Sequence, residues 1–184
     1  FYRGSFSSII FQDPFSSLNP VYTCGYGIKE SFLKNNKTLS AVDLKKKCFL
    51  LLKEVGIKNF KKVYNSYPHQ VSGGQLQRVL IASSLALSPK VILADEPTTA
   101  LDSSIKKEVL NLLYSVVKKR GISLFLISHD ISIIKKYTDY LYILKDGSLI
   151  ESGGTTNILN KPKTLFTKNL ISCKPLIGEK REFL

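Results

Sequence analysis

The sequence predicts an α/β protein in which a parallel sheet is interrupted by a long helical insertion. Two apolar runs of strand length, residues 91–94 and 123–127, flank an amphipathic segment of helix length at 103–119. A third apolar run lies at residues 7–11, and from about residue 22 to 70 the apolar residues recur at helical spacing. Because strands that alternate with helices are typical of parallel sheets with crossover helices, we expect that fold class.

The first strand leads directly to Gln12, and two proline-containing pairs after it predict an extended loop: Asp13-Pro14 and Asn19-Pro20. In the helical segment, Ser40 with Asp43 three residues later predicts an N-cap, and Gly56 predicts the end of that helix. Its apolar residues at helical spacing are Val42, Cys48, Phe49, Leu52 and Val55. Another helix is expected after Gly74, and it carries Leu76, Val79, Leu80, Ser83 and Leu87.

The second half alternates between strand and helix. The helix at 103–119 is expected to end at Gly121 and to present one apolar face, made by Ile105, Val109, Leu112, Leu113 and Val116. A short helix at 131–137, which Asp130 could cap, and a strand at 140–144 follow. Asp146-Gly147 predicts a hairpin turn to a strand at 148–151. The strands that carry candidate catalytic groups end at the edge where open α/β sheets bind ligands.

Residues suited to phosphate and metal chemistry lie in the middle of the chain. Ser72, Gly73 and Gly74 stand at the start of a predicted helix, whose free N–H groups and dipole favour an anion such as phosphate. Asp95 and Glu96 end an apolar strand, and adjacent strand residues point to opposite sides, so we expect the two carboxylates to have different tasks. One could hold a magnesium ion while the other faces an attacking water, as in a nucleotide hydrolase. Taken alone, the glycine run could be a turn and the acidic pair a solvated strand end.

Five segments, in this order along the chain, resemble the motifs of the ATP-binding-cassette (ABC) ATPase family. They are the Q-loop glutamine Gln12, the signature Ser72-Gly73-Gly74-Gln75, the Walker B strand at 92–97, the D-loop Ala100-Leu101-Asp102 and the switch histidine His129. The resemblance implies a partial P-loop NTPase core, with a RecA-like parallel sheet and an inserted ABC α-helical subdomain. It also implies one ABC ATPase domain over 1–184, truncated at its N-terminus. Within it we expect the helical subdomain at 22–88, half of the RecA-like core at 89–155 and a C-terminal extension at 156–184.

The resemblance also implies roles for these residues, with ATP as the nucleotide and Mg²⁺ as the ion. We expect Glu96 to polarise the attacking water and His129 to sense the γ-phosphate. We expect Asp95 to hold Mg²⁺ through a water molecule, and Gln12 to offer its side-chain carbonyl oxygen to the same ion.

In this family the signature segment completes the ATP site of the partner subunit. The resemblance therefore implies a head-to-tail dimer in which Ser72, Gly73, Gly74 and Gln75 contact ATP bound by the other subunit. We expect Asp102 at the interface between the two subunits.

The sequence contains no methionine and no GxxxxGK[ST] phosphate loop. A translated chain begins with Met, and removal of that Met normally requires a small neighbour rather than Phe1. Residue 1 is therefore expected to be an internal position of a longer protein. The resemblance places the Walker A loop upstream of Gln12, so we expect the chain by itself to be inactive as an ATPase.

Composition limits the other classes of function. The net charge is +13, with 23 lysines and four arginines, but the lysines are scattered and no aromatic stacking platform accompanies them. This pattern favours a solvated surface over a nucleic-acid partner. No apolar run approaches the roughly 20 residues of a membrane span.

The chain has an odd number of cysteines, and they form no CxxC pair: Cys24, Cys48 and Cys173. This pattern predicts reduced thiols without a zinc or iron–sulfur site. Cys48 is expected in the core.

Within the family, the Q-loop stretch at 11–20, the segment at 95–102 and the tail at 160–170 resemble oligopeptide, dipeptide and nickel importers. The resemblance implies an ATP-binding subunit bound peripherally at the cytoplasmic face of the inner membrane. Its partners would be a second ABC ATPase subunit, identical or different, the transmembrane permease subunits and a periplasmic or surface substrate-binding protein.

Two alternatives are a non-transport ABC ATPase of translation or DNA repair, and a non-catalytic subunit that lends its signature to a partner. The lack of zinc cysteines disfavours the first, and intact Glu96 and His129 disfavour the second.

Overall fold

The computed structural model describes residues 6–35 and 39–172, and the chain divides after Ile127 into two compact units. The first unit contains a three-stranded sheet with the strand order β1-β2-β3: β1 (Ser7–Ile10), β2 (Val91–Asp95) and β3 (Ser123–Ile127). Both pairings are parallel, so the predicted α/β class with a parallel sheet is confirmed.

Helices of the first unit connect these strands. They are α1 (Pro14–Ser17), α2 (Cys24–Asn35), α3 (Ala41–Glu54), α4 (Phe60–Asn65), α5 (Gly73–Ala86) and α6 (Ser103–Lys119), with a 3₁₀ turn at Pro68–Gln70 before α5. The first four lie between β1 and α5, and α2, α3 and α4 confirm the helical pattern that is predicted from about residue 22 to 70. The extended loop expected after Gln12 was wrong in part, because α1 occupies four of its residues. Asp13 begins this helical turn by accepting a hydrogen bond from the Phe15 N–H over 2.9 Å, and Pro14 has the φ that a first helical position requires.

Helix α3 begins and ends where local sequence signals placed its ends. The Ser40 hydroxyl accepts a hydrogen bond from the Asp43 N–H over 3.1 Å, and Gly56 follows the helix with a φ of +74°. Cys48 is buried in the core as expected, but Val42 is 64% exposed. Val42 precedes the buried Leu44 by two positions, which at 3.6 residues per turn puts it on the opposite side of the helix.

Helix α5 is the central helix of the first unit. It packs against α2, α3, α6 and β1, and ten of its 14 residues are buried. A helix that is apolar on nearly every side is a core helix, rather than one that lies on the surface with a single apolar stripe. The start of α5, which carries the candidate signature, is therefore attached to the best-packed element of this unit.

The second unit consists of a two-stranded antiparallel sheet and three helices within the described residues. They are α7 (Ile131–Tyr137), β4 (Tyr140–Lys145), β5 (Ser148–Gly154), α8 (Thr155–Asn160) and α9 (Leu165–Ser172). Asp146 and Gly147 both have positive φ, at 49° and 75°, which confirms the predicted hairpin turn. Strand β5 extends three residues beyond the predicted end at residue 151. Among the residues described, no helix is both long enough and apolar enough to cross a membrane.

Candidate functional site

The parallel pairing of β1 with β2 brings two candidate residues together at the carboxyl edge of the sheet. Ile10 lies opposite Ala94 in the register of the two strands. Gln12 and Glu96 each lie two residues beyond this pair. The Gln12 Nε2 donates a hydrogen bond to the Glu96 Oε2 over 3.3 Å. Residues that are 84 positions apart in the chain thus meet at one site.

Glu96 has an unusual backbone conformation. Its φ is +41°, a left-handed value that a residue with a side chain adopts at some energetic cost. Its N–H donates a hydrogen bond over 3.0 Å to the carbonyl of Ile127, the last residue of β3. The strand ends at Asp95, so strand alternation does not extend to Glu96, and the left-handed turn sets its direction. Asp95 is exposed and Glu96 is half-buried.

Thr99 also holds Glu96, and sequence analysis did not single it out. The Thr99 hydroxyl donates a hydrogen bond to the Glu96 Oε2 over 2.8 Å. The Thr99 N–H also donates to the backbone carbonyl of Glu96 over 3.1 Å. The sequence did contain a signal for this contact: Thr99 follows Glu96 by three positions in a turn. Hydroxyl side chains often form local hydrogen bonds across turns.

The candidate signature forms the start of α5. Ser72 is the N-cap, and its hydroxyl accepts a hydrogen bond from the Gln75 N–H over 3.3 Å. In return the Gln75 side-chain oxygen accepts from the Ser72 N–H, also over 3.3 Å. This reciprocal capping box fixes the first turn of the helix. The predicted position of Ser72 and the glycines at a helix start is confirmed, whereas contact with ATP stays a prediction.

Both signature glycines face residues that follow the Asp-Glu pair. A Cβ at Gly74 would lie 2.6 Å from the Cγ2 of Ile105, and Cβ atoms in real proteins essentially never approach another heavy atom this closely. A Cβ at Gly73 would lie 3.3 Å from the Cδ2 of Leu101. Gly74 therefore has a packing requirement of its own, independent of any ligand, because α5 and α6 approach too closely there for a side chain.

Asp102 occupies the N-cap position of α6, but its side chain makes no capping hydrogen bond. Its backbone carbonyl accepts the first helical hydrogen bond, from the Lys106 N–H over 2.8 Å. The residue is exposed. An exposed carboxylate that is not used for capping fits an interface position, and the interface role of Asp102 stays a prediction.

A magnesium ion would find suitable but incomplete ligands in this unit. Within the described residues, no group of three or more His, Cys, Asp and Glu side chains could hold a metal ion. Asp95 and Gln12 offer the hard oxygen ligands that Mg²⁺ prefers, and this ion commonly keeps several waters and binds substrate phosphates. The donor set therefore fits an ion held mostly by water and phosphate.

His129 belongs to the second unit and lies two residues beyond the end of β3. The next residue, Asp130, caps α7, because its carboxylate accepts a hydrogen bond from the Ser132 N–H over 2.8 Å. The cap expected from the sequence is confirmed. The role of His129 as a γ-phosphate sensor stays a prediction.

The fold and the site define a class of protein. A parallel α/β sheet carries an acidic site at its carboxyl edge, and a Ser-Gly-Gly helix start packs against Leu101 and Ile105, which follow that site in the chain. This combination is that of a nucleotide-binding ATPase domain. The ABC transporter family model matches residues 7–99, just over half of the chain, and the chain belongs to this family. The members of this family are ATPases.

Curated relatives agree with this assignment. The chain is 38% identical over 173 residues to an oligopeptide transport ATP-binding protein, OppD, of Lactococcus lactis. That alignment covers 94% of this chain and 51% of OppD. The chain is 39% identical over 176 residues to a dipeptide transport ATP-binding protein, DppD, of Haemophilus influenzae, and this alignment covers 96% of this chain and 53% of DppD. The chain thus spans about half the length of these relatives.

Solved structures show the same architecture. The dimeric post-hydrolysis state of an ATP-binding cassette bound to ADP and Pi superposes with a TM-score of 0.72 and 29% identity, covering 83% of this chain and 64% of that chain. The cbiO1 protein of Clostridium perfringens, part of an ABC transporter complex, superposes with a TM-score of 0.73 and 31% identity, covering 86% of this chain and 61% of that chain. The predicted fold, part of an ABC ATPase cassette, is confirmed.

Proposed function

We propose that this chain is part of the ATP-binding subunit of a bacterial ABC importer for peptides or nickel. The relatives that are named as oligopeptide and dipeptide transport ATP-binding proteins support the transport assignment. The observation that carries the catalytic part is the hydrogen bond between Gln12 and Glu96. It joins the candidate Q-loop to the candidate Walker B carboxylate at the sheet edge where α/β proteins bind ligands.

Glu96 is the group that we assign to the attacking water. In the reaction, the water oxygen attacks the γ-phosphorus of ATP, the bond to the β–γ bridging oxygen breaks, and ADP leaves. The Glu96 carboxylate accepts a hydrogen bond from this water and polarises it, which favours transfer of its proton as the new bond forms. Bound Mg²⁺ would neutralise charge on the phosphate oxygens, with Asp95 and Gln12 as its protein-side partners.

The signature segment acts on a second subunit in this proposal. Ser72, Gly73, Gly74 and Gln75 contact ATP that is bound by the partner in a head-to-tail dimer, and Asp102 lies at the interface. The capping box supports this assignment because it holds the first turn of α5 in one conformation. ATP then binds the closed dimer more tightly than the open one, so hydrolysis of ATP allows the closed dimer to open. His129 senses the γ-phosphate.

The partners follow from the same proposal. They are a second ABC ATPase subunit, transmembrane permease subunits and a substrate-binding protein outside the membrane. The complex places this chain peripherally at the cytoplasmic face of the membrane. Closing and opening of the ATP-bound subunit dimer then drive the permease, which couples hydrolysis to import.

The 184-residue chain is expected to show no magnesium-dependent ATP hydrolysis by itself. Its sequence contains no GxxxxGK[ST] loop to bind the phosphates of ATP. Phosphate release from purified chain 1–184 measures this directly. Turnover at a rate normal for transport ATPases would show that no separate Walker A segment is needed.

The decisive test replaces the catalytic carboxylate in the complete transport ATPase. Glu96→Gln removes the charge and keeps the shape, so turnover should fall by about 10²–10⁴-fold while ATP still binds, and the ATP-bound dimer should accumulate. Size-exclusion chromatography with ATP measures the dimer, and phosphate release measures turnover. Glu30→Gln is a matched control, because the Glu30 side chain is 57% exposed and its ion pair among the described residues is with Lys34 on its own helix. Normal cycling by Glu96→Gln would remove Glu96 from this role.

A further inference from the structure

We infer that Thr99 is a positioning residue that orients the Glu96 carboxylate for hydrolysis. This inference rests on the proposed function, in which Glu96 polarises the attacking water. Thr99 acts through Glu96, and no contact between Thr99 and the nucleotide is part of the inference.

The geometry around Glu96 carries the argument. One carboxylate oxygen, Oε2, accepts hydrogen bonds from both the Thr99 hydroxyl and the Gln12 amide. The hydroxyl bond, at 2.8 Å, is much shorter than the amide bond, at 3.3 Å. Hydrogen bonds to an ionised group are the stronger class, and they weaken as the donor moves away. Thr99 is therefore the tighter of the two side-chain donors.

Thr99 is itself held in place by its surroundings. Its N–H donates to the Glu96 carbonyl over 3.1 Å, which closes a turn of four residues. Pro97, within the turn, has a restricted φ, and Thr98 is only 3% exposed. A hydroxyl on such a stiff turn reaches Glu96 without losing much conformational freedom when the bond forms.

Positioning matters because the reaction depends on orientation. A glutamate side chain has several rotatable bonds, and its carboxylate must point at the attacking water for efficient proton transfer. The two donors on Oε2 hold the carboxylate in one orientation.

Thr99→Val is the informative variant because it changes the hydroxyl and little else. Valine has nearly the same shape, and its backbone N–H can still close the turn with the Glu96 carbonyl. In the complete transport ATPase we expect kcat to fall roughly tenfold while KM for ATP changes less than about twofold, because orientation rather than binding is lost.

The split between kcat and KM, together with rescue by a conservative variant, separates positioning from a merely structural role. Thr99→Ser keeps the hydroxyl and should restore kcat. Thr156→Val, at an exposed position on α8, is the matched control and should leave both kcat and KM unchanged.

Each outcome has a defined meaning. The inference is overturned if Thr99→Val keeps the normal kcat, or if Thr99→Ser fails to restore it. Thr99→Ala provides a second test should Thr99→Val fold poorly, and it should show the same loss of kcat with little change in KM. Glu96→Gln, assayed in parallel, separates the proposed function of Glu96 from the role of Thr99. Normal turnover there removes the proposed function itself, whereas an inactive Glu96→Gln beside an unaffected Thr99→Val removes only the role of Thr99.

Discussion

The Gln12 amide donates a hydrogen bond to the Glu96 carboxylate, although 84 residues separate them in the chain. Gln12 precedes the helices α1–α5, and Glu96 follows them at the end of β2. The contact exists because β1 and β2 pair in parallel, so the chain returns to the same edge of the sheet after the helical segment. The beginning and the end of that segment are thereby joined at the candidate site.

Gly74→Ala is expected to lower the free energy of unfolding by about 1–3 kcal/mol, because overpacking a close contact forces its neighbours to shift. The added Cβ would lie 2.6 Å from the Cγ2 of Ile105. Ile105→Ala removes that methyl group, so the double variant should be less destabilised than the sum of the two single variants. Urea unfolding of the three variants measures this coupling.

The matched control for this pair is Gly73→Ala. Its added Cβ would lie 3.3 Å from the Cδ2 of Leu101, the far end of a flexible side chain that can move aside. We expect a smaller loss of stability than for Gly74→Ala. Strictly additive effects of Gly74→Ala and Ile105→Ala would contradict the packing explanation.

Cys24 and Cys48 should be unreactive in the folded protein at neutral pH. Burial raises the pKa of each thiol to about 11, and the thiolate is the reactive form. At pH 8 only about one thiol in a thousand would be ionised. Labelling with a thiol-specific disulfide reagent should therefore be slow until denaturant is added. The variant Cys173→Ser removes the third thiol, which lies outside the described residues, and rapid labelling of this folded variant would contradict the prediction.

The same thiols predict a loss of stability at alkaline pH. Their folded-state pKa of about 11 is above the ordinary value of 9.0, so the folded state binds these protons more tightly than the unfolded state does. Their contribution to stability is complete below pH 9 and is lost as the pH rises from 9 to about 11. Urea midpoints across this range measure the effect, and Cys48→Ala, which lacks one of the two thiols, should show a shallower decline.

Glu151 is expected to hold helix α9 in place. Its buried carboxylate accepts hydrogen bonds from the backbone N–H groups of Lys163, over 3.1 Å, and Thr164, over 3.4 Å. Glu151→Gln keeps the shape but removes the charge, and should speed exchange of these two amide hydrogens by roughly tenfold or more. Hydrogen-exchange mass spectrometry over 160–172 reports this change. Asp146→Asn, in the exposed hairpin turn of the same unit, should leave the exchange unchanged.

The pH dependence of this contact has the opposite sign from that of the thiols. A hydrogen bond from the Thr167 hydroxyl, with those from the two backbone N–H groups, lowers the pKa of Glu151 below its ordinary 4.5. The stabilisation is therefore complete above pH 4.5 and is lost as the pH falls through the folded-state pKa. The protection of α9 against exchange, taken relative to the intrinsic amide rate at each pH, should fall in this acidic range in the natural protein, and the fall should be smaller in Glu151→Gln.

Features that depend on nearby residues were predicted well from the sequence. The bounds of α6, β3 and α7 agree with the expectation, as do the cap at Asp130 and the hairpin at Asp146-Gly147. Helix caps, turns and periodicity depend on residues within about one helical turn or a few strand positions, so the sequence states them directly. The short helix α1 was missed because Asp-Pro pairs begin both loops and helices.

The sequence by itself determined which residues carry the family's motifs, and hence the class of protein. Only the tertiary structure decided how they meet: that Gln12 and Thr99 share one oxygen of Glu96, and that Gly74 has no room for a side chain beside Ile105. These relationships depend on strand register and on how closely two helices approach. Both arise from packing between segments that are far apart in the chain, which no local pattern of residues encodes.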